Sequence, residues 1–211
     1  MAGRGRVTRE AIVEHARRIV AEEGTGALTF QALAQALGVS KQAIIYWFPS
    51  KWELVREFSL PALKEEADAT IAALVEARSA PEAIERFVRA LVAHHLQDLG
   101  RFRVLYLSPQ FDRRRALPAN ARDILAPVHV ATSAMYAALE AMIAADPEFR
   151  PGESPRRLAV AAHMAGIGLL TMLALADSMD DPMAHQTGHL IDSLVALLTG
   201  PSRNARTDPN G

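Results

Sequence analysis

The chain of 211 residues contains no cysteine, which excludes disulfides, thiolate catalysis and Cys-ligated zinc. That absence fits a reducing compartment, and the cytoplasm is the expected location. An excess of charge is also missing. Lys and Arg number 23 against 24 Asp and Glu, a formal net charge of −1, so the chain is not coated in positive charge for nonspecific nucleic-acid binding. Alternating apolar and polar residues are scarce, and Ala and Leu outnumber the β-branched residues, so strands are not expected. There is no G-x-S-x-G elbow, no Walker loop and no Gly-rich dinucleotide turn after a strand, so the chain is not read as an enzyme and no cofactor is expected. The acidic pairs Glu22 and Glu23, Glu65 and Glu66, and Asp180 and Asp181 are adjacent, so their side chains diverge on a helix or cap and are expected on solvated faces. Metal is weighed only at His185 and His189, four apart on one helical face, and two imidazoles without Cys or Glu-x-x-His support are expected as surface residues. The N-terminus lacks the apolar core of a secretion signal. One uncharged run, Leu158 to Ala176, approaches the ~20 residues of a membrane span. It is rich in Ala and Gly, holds His163 and Thr171 and has no aromatic belt, so a buried central helix and no membrane partner are expected.

What is present reads as helix punctuated by proline and glycine. Half the residues are hydrophobic and 22% are charged, the balance of a globular chain with a sizeable core. A first helix is expected from Thr8 to Glu23, with Ile12, Ala16, Ile19 and Val20 on one face. Arg4, Arg6 and Arg9 precede the first acidic residue, and such an arm can reach phosphates or the minor groove. Ser50 and Glu53 form an S-x-x-E capping box, opening a helix from Lys51 towards Ala77 with a kink or break at Pro61. Pro81 opens a helix expected to end at Gly100, and a short helix follows from Arg101 to Leu107. A solvated basic loop holds Arg113, Arg114 and Arg115. Further helices are expected over 119–145, kinked at Pro127 or beginning there, from Pro155 to Asp177, and from Pro182 to Thr199.

The most informative stretch is TFQALAQALGVSKQAIIYWFPSK, residues 29–51. Phe30, Leu33, Ala34 and Leu37 recur at helical spacing, Gly38 ends that helix, and Ser40 is placed to cap a second one beginning at Lys41. This is a helix-turn-helix, the unit that lays one helix in the DNA major groove. Thr29, Lys41, Tyr46 and Lys51 suit phosphate contacts, Gln42 suits an adenine edge and Ala43 a thymine methyl, with Ser40 at the helix start. Ile44 and either Trp47 or Phe48 are expected to turn inward.

From Thr8 to Leu54 the chain resembles the DNA-binding domain of TetR-family transcriptional regulators, carried by LTFQALAQALGVSKQAI and by FPSKWEL. It departs from that pattern at Ile45 and Tyr46, where the family commonly has Tyr followed by His. The resemblance implies an all-α fold of about nine helices. A three-helix DNA-binding domain over 1–50, with a flexible arm at 1–7, is followed by an effector-binding and dimerisation bundle over 51–200 and a disordered tail at 201–211. It implies a repressor released from a pseudo-palindromic operator by a small apolar or amphipathic effector. The partners implied are double-stranded DNA, the effector and a second copy docked through the last two helices. There Ala159, Ala162, Ala165, Gly166 and Gly168 give small-residue faces and Leu190, Leu194, Val195, Leu197 and Leu198 an apolar stripe. Phe87, His94, Phe102, Tyr106, Met135, Tyr136 and His163 are the candidate effector contacts, being aromatic, sulfur and polar groups among apolar helices. The competing reading is an all-α dimeric ligand carrier or protein-interaction module without specific DNA binding.

Overall fold

The computed structural model describes residues 7–24, 26–107, 120–182 and 186–200. Arg4 and Arg6 of the arm, the Arg113–Arg114–Arg115 loop, His185 and the 201–211 tail lie outside the described residues. Within them the chain forms nine α-helices and no strand. They are α1 (Arg9–Glu23), α2 (Phe30–Leu37), α3 (Lys41–Trp47), α4 (Lys51–Ala73), α5 (Ala80–Leu96), α6 (Leu99–Phe102), α7 (Ala121–Ala144), α8 (Pro155–Met179) and α9 (Thr187–Thr199). A π-helical turn, Arg103–Leu107, extends α6.

Two compact units emerge, one made of residues 1–65 and 98–131, the other of 66–97 and 132–211. The first unit is organised by the fully buried side chains Ile12, Ala16 and Val20 of α1, Leu33 of α2, Ile44 of α3 and Leu54 of α4, closed by Phe48 and Val104. Each large apolar side chain so removed from water contributes roughly 1.5–3 kcal/mol. Arg9 forks onto the Glu57 carboxylate, with Nη2 to Oε2 at 2.6 Å, and its guanidinium lies 5.2 Å from the Phe48 ring centroid. Arg9 is thus a strut between α1 and α4, and not part of a free phosphate-seeking arm.

In the second unit α5 supplies the core, with Ala83, Ile84, Phe87, Val88, Leu91 and Val92 all buried. Gly166 of α8 faces it so closely that a Cβ there would stand 2.7 Å from Leu91 Cδ2. Met135, Leu139 and Ile143 of α7 and Val195 of α9 complete the interior. Arg89 ties α5 to α9 through Asp192 at 2.6 Å, and the Ala80 amide donates to Asp146 at 3.0 Å.

Several expected boundaries move. Pro61 does not break α4, which runs on to Ala73. The proline's outer position leaves buried Leu54 and Ala62 to hold the turns on either side, although the missing N–H costs one ladder bond. α5 stops at Leu96, before Gly100, because Asp98 starts a new helix by accepting the Arg101 amide at 2.8 Å. Pro127 lies inside α7, which begins at Ala121 and not at the proline. The last helix starts at Thr187, later than Pro182. α7 and α8 are each long and apolar enough to cross a membrane by length and composition. α8, however, buries Ala159, Ala162, Gly166, Leu170 and Leu173 along one face of a packed unit, as a core helix does.

Candidate nucleic-acid interface

Local chemistry builds the reading head almost residue by residue. Thr29 caps α2, its Oγ1 accepting the Ala32 amide at 3.0 Å. Gly38 then terminates α2 in the left-handed region at φ +64°, where a Cβ is disfavoured, and the Val39 amide returns to the Ala34 carbonyl at 3.0 Å. Ser40 caps α3 by accepting the Ala43 amide at 3.2 Å, and Ser50 caps α4 through the Glu53 amide at 3.2 Å. The capping box is therefore realised at its serine. Buried Leu33 and Ile44 lock α2 against α3, so the opposite face of α3 is turned out.

That outer face carries Lys41, Gln42 and Tyr46, all exposed, with Ala43 half-buried at its edge. Of the two aromatics expected to compete for the interior, Phe48 is buried at 2% exposure while Trp47 is exposed at 36%. Phe48 follows the helix end, where extended backbone lets its ring turn into the core. Trp47 instead meets Tyr46 edge-on, ring centroids 5.6 Å apart.

Thr29, Lys41 and Lys51 line one open cleft of about 370 Å³ together with Phe30, Gln31, Pro49 and Ser50. The N-termini of α2 and α4 open onto it, and helix N-termini carry partial positive charge with free amides. Two lysines add formal charge. A capping hydroxyl accepts with its lone pairs and keeps its own proton to donate, so Thr29 and Ser50 can each cap a helix and bond a phosphate oxygen. Ser50 was not among the sequence-derived DNA contacts. Its signal was present in the S-x-x-E box, which marks a helix N-terminus and hence an anion site.

A three-helix unit that presents an exposed reading helix beside a basic, amide-lined cleft defines a helix-turn-helix DNA-binding protein. Residues 12–58 match the family model of bacterial regulatory proteins, tetR family. Residues 12–58 are therefore a DNA-binding domain of the tetR family of bacterial regulatory proteins, and the chain as a whole shares the fold of solved TetR-family regulators. No curated protein matches it. Among solved structures it is similar to FadR from Bacillus subtilis in complex with stearoyl-CoA, at 14% identity and a TM-score of 0.67 over 93% of this chain and 100% of that one. It is also similar to PfmR, a TetR-family regulator from Thermus thermophilus, at 27% identity and a TM-score of 0.58 over 93% and 98% of the two chains. A third is NalD, the secondary repressor of the MexAB-OprM multidrug efflux pump in Pseudomonas aeruginosa, at 20% identity and a TM-score of 0.62 over 88% and 92%.

The candidate effector contacts fall into both units. Phe102 and Tyr106 stack on each other in the first, centroids 5.3 Å apart and 27° from parallel. Phe87, His94, Met135, Tyr136 and His163 belong to the second. There Phe87 and Met135 are fully buried, the Phe87 and His163 ring centroids are 6.4 Å apart, and the Tyr136 hydroxyl meets His163 Nδ1 at 2.9 Å. His94 is half-buried against the His95 ring, 5.0 Å away between centroids.

Glu66 joins His163 of this set to His95, which contradicts its expected place on a solvated face. It is 1% exposed, with Oε2 2.9 Å from His95 Nε2 and Oε1 3.2 Å from His163 Nε2. Glu65, one residue earlier, is 58% exposed. A helix turns about 100° per residue, so the pair diverges. Glu66 falls on the i±4 stripe of Ala62 and Thr70, both buried. That stripe was the readable signal. Burial pushes the Tyr136 hydroxyl pKa up, and the Glu66 charge adds to the shift while Arg156, 5.0 Å from the ring centroid, opposes it. Tyr136 therefore keeps its proton, and its hydroxyl shares a hydrogen bond with His163 Nδ1 while the other ring nitrogen faces Glu66.

Proposed function

We propose that the chain is a homodimeric, sequence-specific repressor released from a pseudo-palindromic operator by a small apolar or amphipathic effector. The observation that carries the reading is the exposed Lys41–Gln42–Tyr46 face beside the cleft of Thr29, Lys41 and Lys51. In this reading residues 1–50 read DNA and 51–200 serve the effector and the second copy. Lys41, Tyr46, Lys51 and Thr29 hold phosphates, Gln42 pairs with an adenine edge, Ala43 meets a thymine methyl, and Ser40 sets the start of the reading helix.

One reading helix buries too little surface for a specific complex, and two heads on one dimer supply the rest. Ala159, Ala162, Gly166 and Val195, expected at the interface, are buried within one copy, so dimerisation through α8 and α9 rests instead on the side chains these helices leave exposed, among them Met164, Met172, Leu175, Met179 and Leu197. A small-molecule effector is supported by FadR, solved with stearoyl-CoA, and Phe87, Met135, Tyr136 and His163 are its proposed contacts. His94, in the same unit, completes the proposed contact set, while Phe102 and Tyr106 belong to the other unit. TetR-family regulators are in general non-enzymatic, cytoplasmic proteins, and we assign the same location and absence of catalysis to this one. Replacing Gln42 by Ala is expected to cost roughly 1–3 kcal/mol on cognate DNA and little on random DNA. Equal losses on both would remove Gln42 as a base reader.

A further inference from the structure

A second cleft, about 350 Å³ in volume, lies wholly within the first unit, between α1, the first half of α4 and the α6 to π-turn segment. It shares no residue with the proposed effector contacts or with the phosphate cleft. Its size sits at the lower end of ligand pockets, roughly 300–1,000 Å³. At ~30 Å³ per water in the liquid, the volume equals about a dozen waters, so the matching occupant has about a dozen heavy atoms.

The walls fix its chemistry. Phe58 and Pro61 of α4 and Leu105 of the π-turn present apolar surface. Pro61 has no N–H to give the ladder, and π-helical turns such as Arg103–Leu107 are rare single-turn features frequently found at functional sites. The polar rim is internally matched on one side: Arg101 Nη1 meets Glu65 Oε2 at 2.8 Å, and Asp98 accepts the Arg101 amide. On the other side stands Arg17, whose side chain is 58% exposed and paired at 2.8 Å with Glu14, itself 52% exposed and one turn back on α1. Exposed pairs of this kind contribute little and exchange readily. An anion entering the cleft therefore finds one cation released at small cost, whereas a cation would have to displace Arg101 from Glu65.

We propose that this cleft is a small-molecule site for an amphipathic monocarboxylate, with its apolar body against Phe58, Pro61 and Leu105 and its carboxylate on Arg17. Arg17 offers a planar guanidinium fork that takes a carboxylate in two parallel bonds. The site belongs to the unit that carries the reading head, so it needs no rearrangement of the other unit to fill.

The test is calorimetric titration of the full-length protein with 4-phenylbutyrate, and with the matching alcohol and amine, 4-phenylbutanol and 4-phenylbutylamine. Three proteins are compared: the unaltered chain, Ala21→Trp, which fills the cleft from an exposed position on α1, and Arg17→Gln, which keeps a neutral side chain of similar length. The expected result is saturable binding of the acid to the unaltered chain, at least tenfold tighter than the alcohol, with none of the amine. Ala21→Trp abolishes acid binding, and Arg17→Gln weakens the acid about tenfold while leaving the alcohol unchanged. Acid binding that survives Ala21→Trp, equal binding of acid, alcohol and amine, or no saturable binding of the acid up to millimolar concentration would each overturn the proposal. Circular dichroism of both variants separates loss of the site from loss of the fold.

Discussion

Replacing Glu66 by Ala removes the carboxylate that both His95 Nε2 and His163 Nε2 address, at 2.9 and 3.2 Å. Glu66 and His95 are essentially unexposed and His163 is 7% exposed, so no bulk water replaces the lost acceptor. Hydrogen bonds to a charged group contribute roughly 1.5–3 kcal/mol each, and a buried donor left without its acceptor costs about 1–3 kcal/mol. The two bonds share one carboxylate, so they are not summed, and we expect Glu66→Ala to lose about 1.5–3 kcal/mol. Glu66→Gln keeps the shape but presents an acceptor to one imidazole and an N–H₂ to the other, so roughly 1–3 kcal/mol is expected. Urea unfolding followed by circular dichroism near neutral pH, at one fixed protein concentration because the proposed dimer makes stability depend on it, reads both values. A loss below about 0.5 kcal/mol in both variants would mean that Glu66 behaves as an ordinary surface carboxylate, the level at which surface substitutions fall. The Glu66–His163 double-mutant cycle should then show no coupling either.

Tyr136→Phe removes one hydrogen bond to His163 and is expected to cost about 1 kcal/mol near neutral pH. The folded pKa of Tyr136 is raised above its ordinary value of 10.0, so its contribution is fully present below that pH and is lost as pH rises through the folded value. The gap between the two proteins must therefore close in alkali, and a gap that widens there refutes the assignment. Gly38→Ala meets no atom within 4 Å, so its whole cost is the positive φ of +64°, about 1–2 kcal/mol by thermal unfolding. A neutral result would mean that the α2–α3 turn is not held in the left-handed region. Met172→Glu with Leu197→Glu, at positions 47% and 76% exposed within one chain, should change monomer stability by less than about 0.5 kcal/mol each. The pair should instead convert the proposed dimer to monomer in analytical ultracentrifugation, and an unchanged dimer would move the interface away from α8 and α9.

The reading head was legible because it is specified locally. Thr29, Gly38 and Ser40 each act within four residues of themselves, and the structure uses each as its chemistry dictates. Helix ends elsewhere were less legible, since Pro61 and Pro127 are tolerated inside long helices whose buried faces hold them. Gly100 was passed over as a stop because Asp98 offered a better helix start two residues earlier. Arg9 looked like part of a free basic arm, and its partner Glu57, 48 residues away, has no local signature. Glu66 was missed for a similar reason: the periodicity marks its stripe as inner, but only His95 and His163, from other helices, make a buried carboxylate tolerable. Phe87 and Phe102 are read together from sequence as candidate effector contacts, and no local signal reveals that they belong to different compact units.

The most direct test is binding of the purified protein to the DNA flanking its own coding region, with random DNA as competitor, at about 50 and 200 mM salt. A sequence-specific dimer leaves a footprint over two half-sites about one helical turn apart, or a multiple of it, that resists competitor and is weakened but not abolished at the higher salt. Binding that falls equally on every sequence as salt rises would contradict it, leaving only a phosphate-driven contact at the Thr29, Lys41 and Lys51 cleft.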